Sequence, residues 1–135
     1  MKYLNATSNM SLTISAKELH TVRWFVDVAY AVHPNFKSHT GWVMNMGNSA
    51  IQSGSTKQKL VTRSTCKAEL VGADNASRKI IWTKLFLGAQ GYKVRKNIPH
   101  QNNKSTILLL NNGKASSGKR TRAINIRYFF LHDQQ

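Results

Sequence analysis

Val22-Arg23-Trp24-Phe25-Val26-Asp27-Val28-Ala29-Tyr30-Ala31-Val32 is the most strand-like stretch of the chain. β-Branched and aromatic side chains dominate it, and these fit a pleated surface. Side chains alternate across a strand, so Val26, Val28 and Tyr30 share one face while Phe25, Asp27 and Ala29 share the other. Apolar residues stand on both faces, which predicts a central strand covered on both sides. Asp27 then sits on a largely apolar face, where a carboxylate needs a purpose.

Working outward, residues 40–46 (Thr-Gly-Trp-Val-Met-Asn-Met) and 49–56 (Ser-Ala-Ile-Gln-Ser-Gly-Ser-Thr) predict two more strands around a Gly47-Asn48 turn. Their short connections predict an antiparallel meander with the first strand. A long helix is predicted over residues 64–90, because Leu70, Ala73, Ser77, Ile81 and Leu85 recur at helical steps as a one-sided stripe. Ser64 or Thr65 can cap its start, and Gly91 is a natural stop. Residues 97–101 form a weak fourth strand, demoted by Pro99, which cannot donate to a ladder. A short helix starting near Asn103 carries Ile107 to Leu110, residues 111–120 form a basic loop, and a last helix covers about 121–132. Upstream, residues 1–20 are polar without a sustained period and read as a lead-in, leaving a domain over 21–135. The class is α+β, α/β-like in setting helices on a mixed sheet.

The chain has 135 residues, of which 41 % are hydrophobic, enough for one domain with a core. Lys and Arg number 20 against 5 acids, a net charge of +15, and that surplus favours an anionic partner, with nucleic acid the usual one. No apolar run approaches a membrane span, and the start, Met1-Lys2-Tyr3-Leu4-Asn5, has no signal-peptide stretch. A membrane is therefore not expected as partner. With Cys66 the only cysteine, the location expected is intracellular, in a cytoplasmic particle or the nucleus, not secreted. The histidines lack HxxxH spacing and Cys66 lacks a CxxC partner, which argues against zinc.

Chemistry must then come from the scarce acids: Glu18, Asp27, Glu69, Asp74 and Asp133. Asp27 on the first strand and Glu69 in the first turns of the long helix can meet where the strand passes the helix start. Together they would hold a hard divalent cation, since Mg²⁺ takes oxygen ligands. On spacing alone, a locally paired Asp27 and a surface Glu69 is the alternative.

The chain also resembles a known family. Asp27-Val28-Ala29-Tyr30-Ala31, followed by His39-Thr40-Gly41, is similar to the opening of the RNase H domain of copia-type retrotransposon polyproteins. So are Ser55-Thr56-Lys57-Gln58-Lys59-Leu60, Ala68-Glu69-Leu70, Lys119-Arg120-Thr121-Arg122 and Ile124-Asn125-Ile126-Arg127-Tyr128-Phe129-Phe130. The likeness runs from about Tyr3 to the end, with several motifs in the family's order. It implies an RNase H-like fold with a parallel fourth strand, and an upstream reverse transcriptase domain in the same polyprotein. The implied activity is cleavage of the RNA strand of RNA–DNA hybrids with Mg²⁺, or Mn²⁺, held by acids. Asp27 matches the first-strand Asp and Glu69 the helix Glu, while Asn102 stands where the family has Asp. The family's fourth acid follows the last helix, and with Gln135 the final residue, that segment and the family's last strand and helix are expected to be absent.

Other departures point the same way. Lys67 stands where relatives carry Glu, removing a capping box with Ser64 and setting a cation against the helix dipole. Ala123 replaces a usual His. An amide at position 102 offers one neutral oxygen in place of a carboxylate, so weak metal binding and impaired hydrolysis are expected. Binding can outlast catalysis, because phosphate contacts need only basic and polar groups; Lys57, Gln58, Lys59, Arg120 and Arg122 are the candidates. The alternative function is a non-catalytic basic module that binds nucleic acid or acts as a scaffold. Cys66 reads as a passive thiol, Trp24, Trp42 and Trp82 as core, Asp74 as a surface acid, and Asp133 as too distal to replace the fourth acid.

Overall fold

A computed structural model describes residues 2–15 and 20–112. The elements in chain order are α1 (Lys2–Ala6), β1 (Thr21–Ala29), β2 (His39–Asn45), β3 (Ala50–Lys57), α2 (Thr65–Ala89), β4 (Lys96–His100) and α3 (Lys104–Asn112). The predicted helix over 121–132, the basic cluster with Arg120 and Arg122, and the acids Glu18 and Asp133 lie outside the described residues. The sequence predicts no helix at the start of the chain; α1 forms there with no buried residue.

The four strands make one mixed sheet in the order β3-β2-β1-β4. β1 pairs antiparallel with β2, with Asp27 opposite Gly41, and parallel with β4, with Phe25 opposite His100. β2 pairs antiparallel with β3, setting Gly41 opposite Ser55 and His39 opposite Lys57. The meander and the fourth strand therefore form as expected, each end within one residue except that β1 stops at Ala29, three residues before Val32. Pro99 is accommodated because β4 borders the described sheet, where a missing donor is tolerated.

Among the described residues β1 is central in the sheet and packed on one face only, in contrast to the expected double cover. Val22, Trp24 and Val26 are buried with Met44 against Ala76 and Ile80 of α2. On the other face Phe25 is 44 % exposed, and Asp27 and Ala29 are exposed. The physical reason is visible in the pattern: that second face alternates Arg23, Phe25, Asp27 and Ala29, and two charged groups make dry burial costly. Trp24 is fully buried, donates from Nε1 to Asn97 Oδ1 at 2.8 Å, and packs at 5.7 Å from the Trp42 ring. Asn97 Nδ2 in turn donates to the Ile80 carbonyl at 3.2 Å, so one amide joins β4, β1 and α2.

Ser64 is the N-cap of α2, its hydroxyl accepting from the Lys67 N–H at 3.3 Å. The helix ends where Gly91 takes φ +84°, with Gly91 N–H bonded to the Gly88 carbonyl and Tyr92 N–H to the Leu87 carbonyl. That pairing is a Schellman stop, and the left-handed residue it needs is the glycine. The buried stripe departs from the expected one in the second half of α2. Leu70, Ala73 and Ser77 are buried as predicted, but Leu85 is exposed and Ile80 and Thr83 are buried instead. The Ala76-Ile80-Thr83 row carries less apolar bulk, and it wins because it faces Val22 and Trp24.

Gly72 sets the distance between α2 and the sheet. A Cβ there would collide with Val28 Cγ2, one residue from Asp27. Gly72→Ala gains about 1 kcal/mol of helix propensity but overpacks a stiff β-branched contact at about 1–3 kcal/mol. We expect net destabilisation, read as a lower thermal midpoint by circular dichroism, with most of the loss recovered in Gly72→Ala/Val28→Ala.

Candidate functional site

The parallel ladder between β1 and β4 decides which residues meet. Phe25 stands opposite His100, so the chain leaving β4 carries Gln101 and Asn102 alongside Val26 and Asp27. An open cleft of about 910 Å³ lies here on the uncovered face of the sheet. Phe25, Asp27, Gly41, Ser55, His100, Gln101 and Asn102 are among the residues lining it. Phe25 and His100 stack across the strands, ring centres 4.7 Å apart and planes within 10°.

Glu69 arrives from the other side. It is the fifth residue of α2, is only 8 % exposed, and belongs to the helix packed beneath the sheet. Gln101 joins the two sides. Its Nε2 donates to Glu69 Oε2 at 3.1 Å, and its Oε1 accepts from the N–H groups of Asn102 at 2.7 Å and Asn103 at 3.3 Å. Asn103 Oδ1 then caps α3 by accepting from the Thr106 N–H at 3.0 Å. One glutamine therefore connects the buried carboxylate to the loop that carries Asn102.

Burial pushes the Glu69 carboxyl above the usual carboxylate range; the Gln101 hydrogen bond opposes that, and the charge of Asp27 adds to it. Asp27 and Glu69 are thus within electrostatic reach of each other. Two carboxylates with neighbouring amide oxygens suit one hard cation. A third acidic, histidine or cysteine ligand does not join them among the described residues. Asp27 and Glu69 could hold at most a single hard cation and not a pair, since two close divalent ions need more negative charge than two carboxylates bring.

The remaining candidates divide. Lys57 and Lys59 are exposed, as a phosphate-binding side chain must be. Gln58 is a correction: it is 1 % exposed and donates from Nε2 to Thr40 Oγ1 at 3.0 Å and to the Ala68 carbonyl at 2.9 Å. Alternation along the strand end turns Gln58 inward between two lysines, so it clamps β2 to α2 and cannot reach a polyanion. Asp74 is likewise no surface acid but 8 % exposed, with Arg78 Nη2 at 3.7 Å from its Oδ2. Trp82, expected in the core, is 55 % exposed and stacks on Phe86 at 5.0 Å. Cys66 takes a structural part, its carbonyl accepting from Thr106 Oγ1 at 3.3 Å.

Gln101 and Gly72 are the residues the sequence reading passes over. The signal for Gln101 was the amide run Gln101-Asn102-Asn103 at a strand end, a pattern rich in local hydrogen bonding. No family model matches this chain, and no solved structure matches it. No helix among the described residues is long and apolar enough to cross a membrane.

A carboxyl with a raised folded-state pKa favours the native state while protonated and loses that contribution as pH rises through the raised value. Glu69→Gln should therefore raise the melting midpoint by a few degrees at pH 7 in EDTA. Near pH 3.5, where Glu69 is already neutral, the substitution should change little; melts at the two pH values measure the difference.

Proposed function

We propose that this chain is an RNase H-like domain of the copia-type retrotransposon polyprotein class, working beside the reverse transcriptase of the same polyprotein. Its surviving activity is binding of RNA–DNA hybrid, with cleavage strongly impaired. The observation that carries this reading is that Gln101, bonded to Glu69 of α2, lines the same cleft as Asp27 of β1, whose charge bears on Glu69. A mixed sheet with three antiparallel strands, a long helix and a parallel fourth strand is consistent with that lineage.

Asp27 and Glu69 would hold the cation, with the Asn102 amide oxygen as a neutral third donor. Bound there, Mg²⁺ would polarise a backbone phosphate. The protein's own part is to ionise Glu69 against its burial, to release it from Gln101, and to position the strand over the open face. Lys57 and Lys59, at the end of β3, supply phosphate contacts. Hybrid recognition by backbone shape and 2′-hydroxyls needs no further chemistry from the site.

Each 1.4 kcal/mol of lost transition-state stabilisation costs about tenfold in rate. Losing one carboxylate at position 102 and a second metal therefore removes orders of magnitude. A labelled hybrid incubated with Mg²⁺ or Mn²⁺ should be cut slowly or not at all; turnover typical of an intact nuclease contradicts the reading. A second reading, a wholly non-catalytic binding module, is favoured by the Gln101 bond that already occupies Glu69; it predicts that Asp27→Asn leaves hybrid affinity unchanged or improved.

Two further outcomes follow from the lysines and from Asn102. Hybrid affinity should fall steeply between 50 and 200 mM salt, and Lys57→Gln/Lys59→Gln should reduce the salt slope by about two. Asn102→Asp should strengthen Mg²⁺ binding, measured by isothermal titration, while hydrolysis stays near background.

A further inference from the structure

The connection from β1 to β2 builds a second polar cluster on the open face, apart from Asp27 and Glu69. The chain turns so tightly there that Ala31 (φ 51°) and Phe36 (φ 56°) take left-handed backbone, unusual for residues with a Cβ. Hydrogen bonds hold the turn. Ala31 N–H donates to Ser38 Oγ at 3.1 Å, His33 N–H to the Lys37 carbonyl at 3.2 Å, and Phe36 N–H to the His33 carbonyl at 2.8 Å. Ser38 is fully buried, and its carbonyl accepts from the Gln58 N–H at 2.8 Å, which ties the turn to the end of β3.

This turn sets His33 beside the first residue of β2. His33 Nε2 lies 2.9 Å from His39 Nδ1, and His39 Nε2 lies 2.6 Å from Ser55 Oγ. Register places Lys57 opposite His39, and Ser55 opposite Gly41, so these side chains share the face that carries Asp27. A hydrogen bond between two imidazoles needs one donor and one acceptor, so the linked pair is not doubly protonated. Burial, Lys57 and His39 together hold the His33 imidazole below its ordinary pKa. The charged side chain shown to bear on the pair is Lys57 on β3; Lys37 belongs to the turn itself, and Asp27 shares the sheet face on β1. Cations outnumber acids there, and the rings have room for a proton that an arriving anion would stabilise.

We propose that His33, His39, Ser55 and Lys57 form a proton-linked subsite for a phosphate group. Under the nucleic-acid reading above, that group is a backbone phosphate of the strand lying in the adjacent cleft, which Ser55 also lines. Lys57 supplies a fixed charge, Ser55 a hydroxyl donor, and the histidine pair a second charge gained on binding. One proton taken up per phosphate bound makes affinity rise as pH falls, by up to about tenfold per pH unit.

Two measurements on the full chain test this. In the first, histidine ring resonances are titrated with pH in the presence and absence of inorganic phosphate. Phosphate should raise the apparent pKa of His33 and His39 and leave His20 and His100 unmoved; equal titration curves overturn the subsite. In the second, anisotropy of a labelled hybrid is followed from pH 7.5 to pH 6. Affinity should rise about tenfold for the unmodified protein and by less than about twofold for His33→Gln/His39→Gln. The same pH dependence in the double variant overturns the subsite. A hybrid that binds at no pH, with the phosphate-induced shifts intact, supports the subsite and removes the nucleic-acid reading instead.

Discussion

Gly72 against Val28 is the contact on which the rest of the arrangement depends. It lets the backbone of α2 lie on β1 without an intervening side chain. Glu69, one turn earlier, is thereby carried to the end of the strand where Asp27 stands. The same closeness buries Ala68, Leu70, Ala73 and Ala76, small residues for the most part, under the sheet. Gln58 fixes the approach from the other side, bonding β2 through Thr40 and the first turn of α2 through Ala68. A helix held at both points cannot slide without breaking either a packed contact or a buried hydrogen bond.

That placement has an electrostatic cost and a device that reduces it. Two carboxylates in reach of each other repel, and Glu69 is buried besides. Gln101 offsets part of this by donating to Glu69 while its oxygen satisfies two backbone N–H groups of the following loop. A neutral amide does this without metal, where a third carboxylate would need one. On the open face, the Phe25–His100 stack, Asp27 and the histidine cluster form a mixed aromatic and polar surface, where an all-apolar one would favour aggregation.

Much of this was legible in the chain. Period-two alternation found β1, turn chemistry found the meander, and Ser64 and Gly91 bounded α2. The scarcity of acids singled out Asp27 and Glu69, but spacing alone left a locally paired Asp27 and a surface Glu69 as the better reading, and the family resemblance was what set them together. What was not legible depended on tertiary context. Arg23 and Asp27 argue locally for an open Phe25 face of β1, but Phe25 and Ala29 are as apolar as many covered residues, and tertiary packing decides between them. The inward turn of Gln58 depends on the pleat continuing one residue past β3. The stripe on α2 shifts to Ala76, Ile80 and Thr83 because the Trp24 side of the sheet selects it. Gln101 needed the β1–β4 register, which no spacing in the sequence supplies.

The central claim is that Asp27, Glu69 and the loop at Gln101 and Asn102 converge on one weak cation site. Titration of the isotopically labelled protein with sub-stoichiometric Mn²⁺ tests it most directly, because the ion broadens only the amide signals near where it binds. We expect the amides around Asp27, Glu69, Gln101 and Asn102 to vanish first and together, with Mg²⁺ in excess restoring them. Broadening centred elsewhere, or at one of these positions without the others, would contradict the convergence.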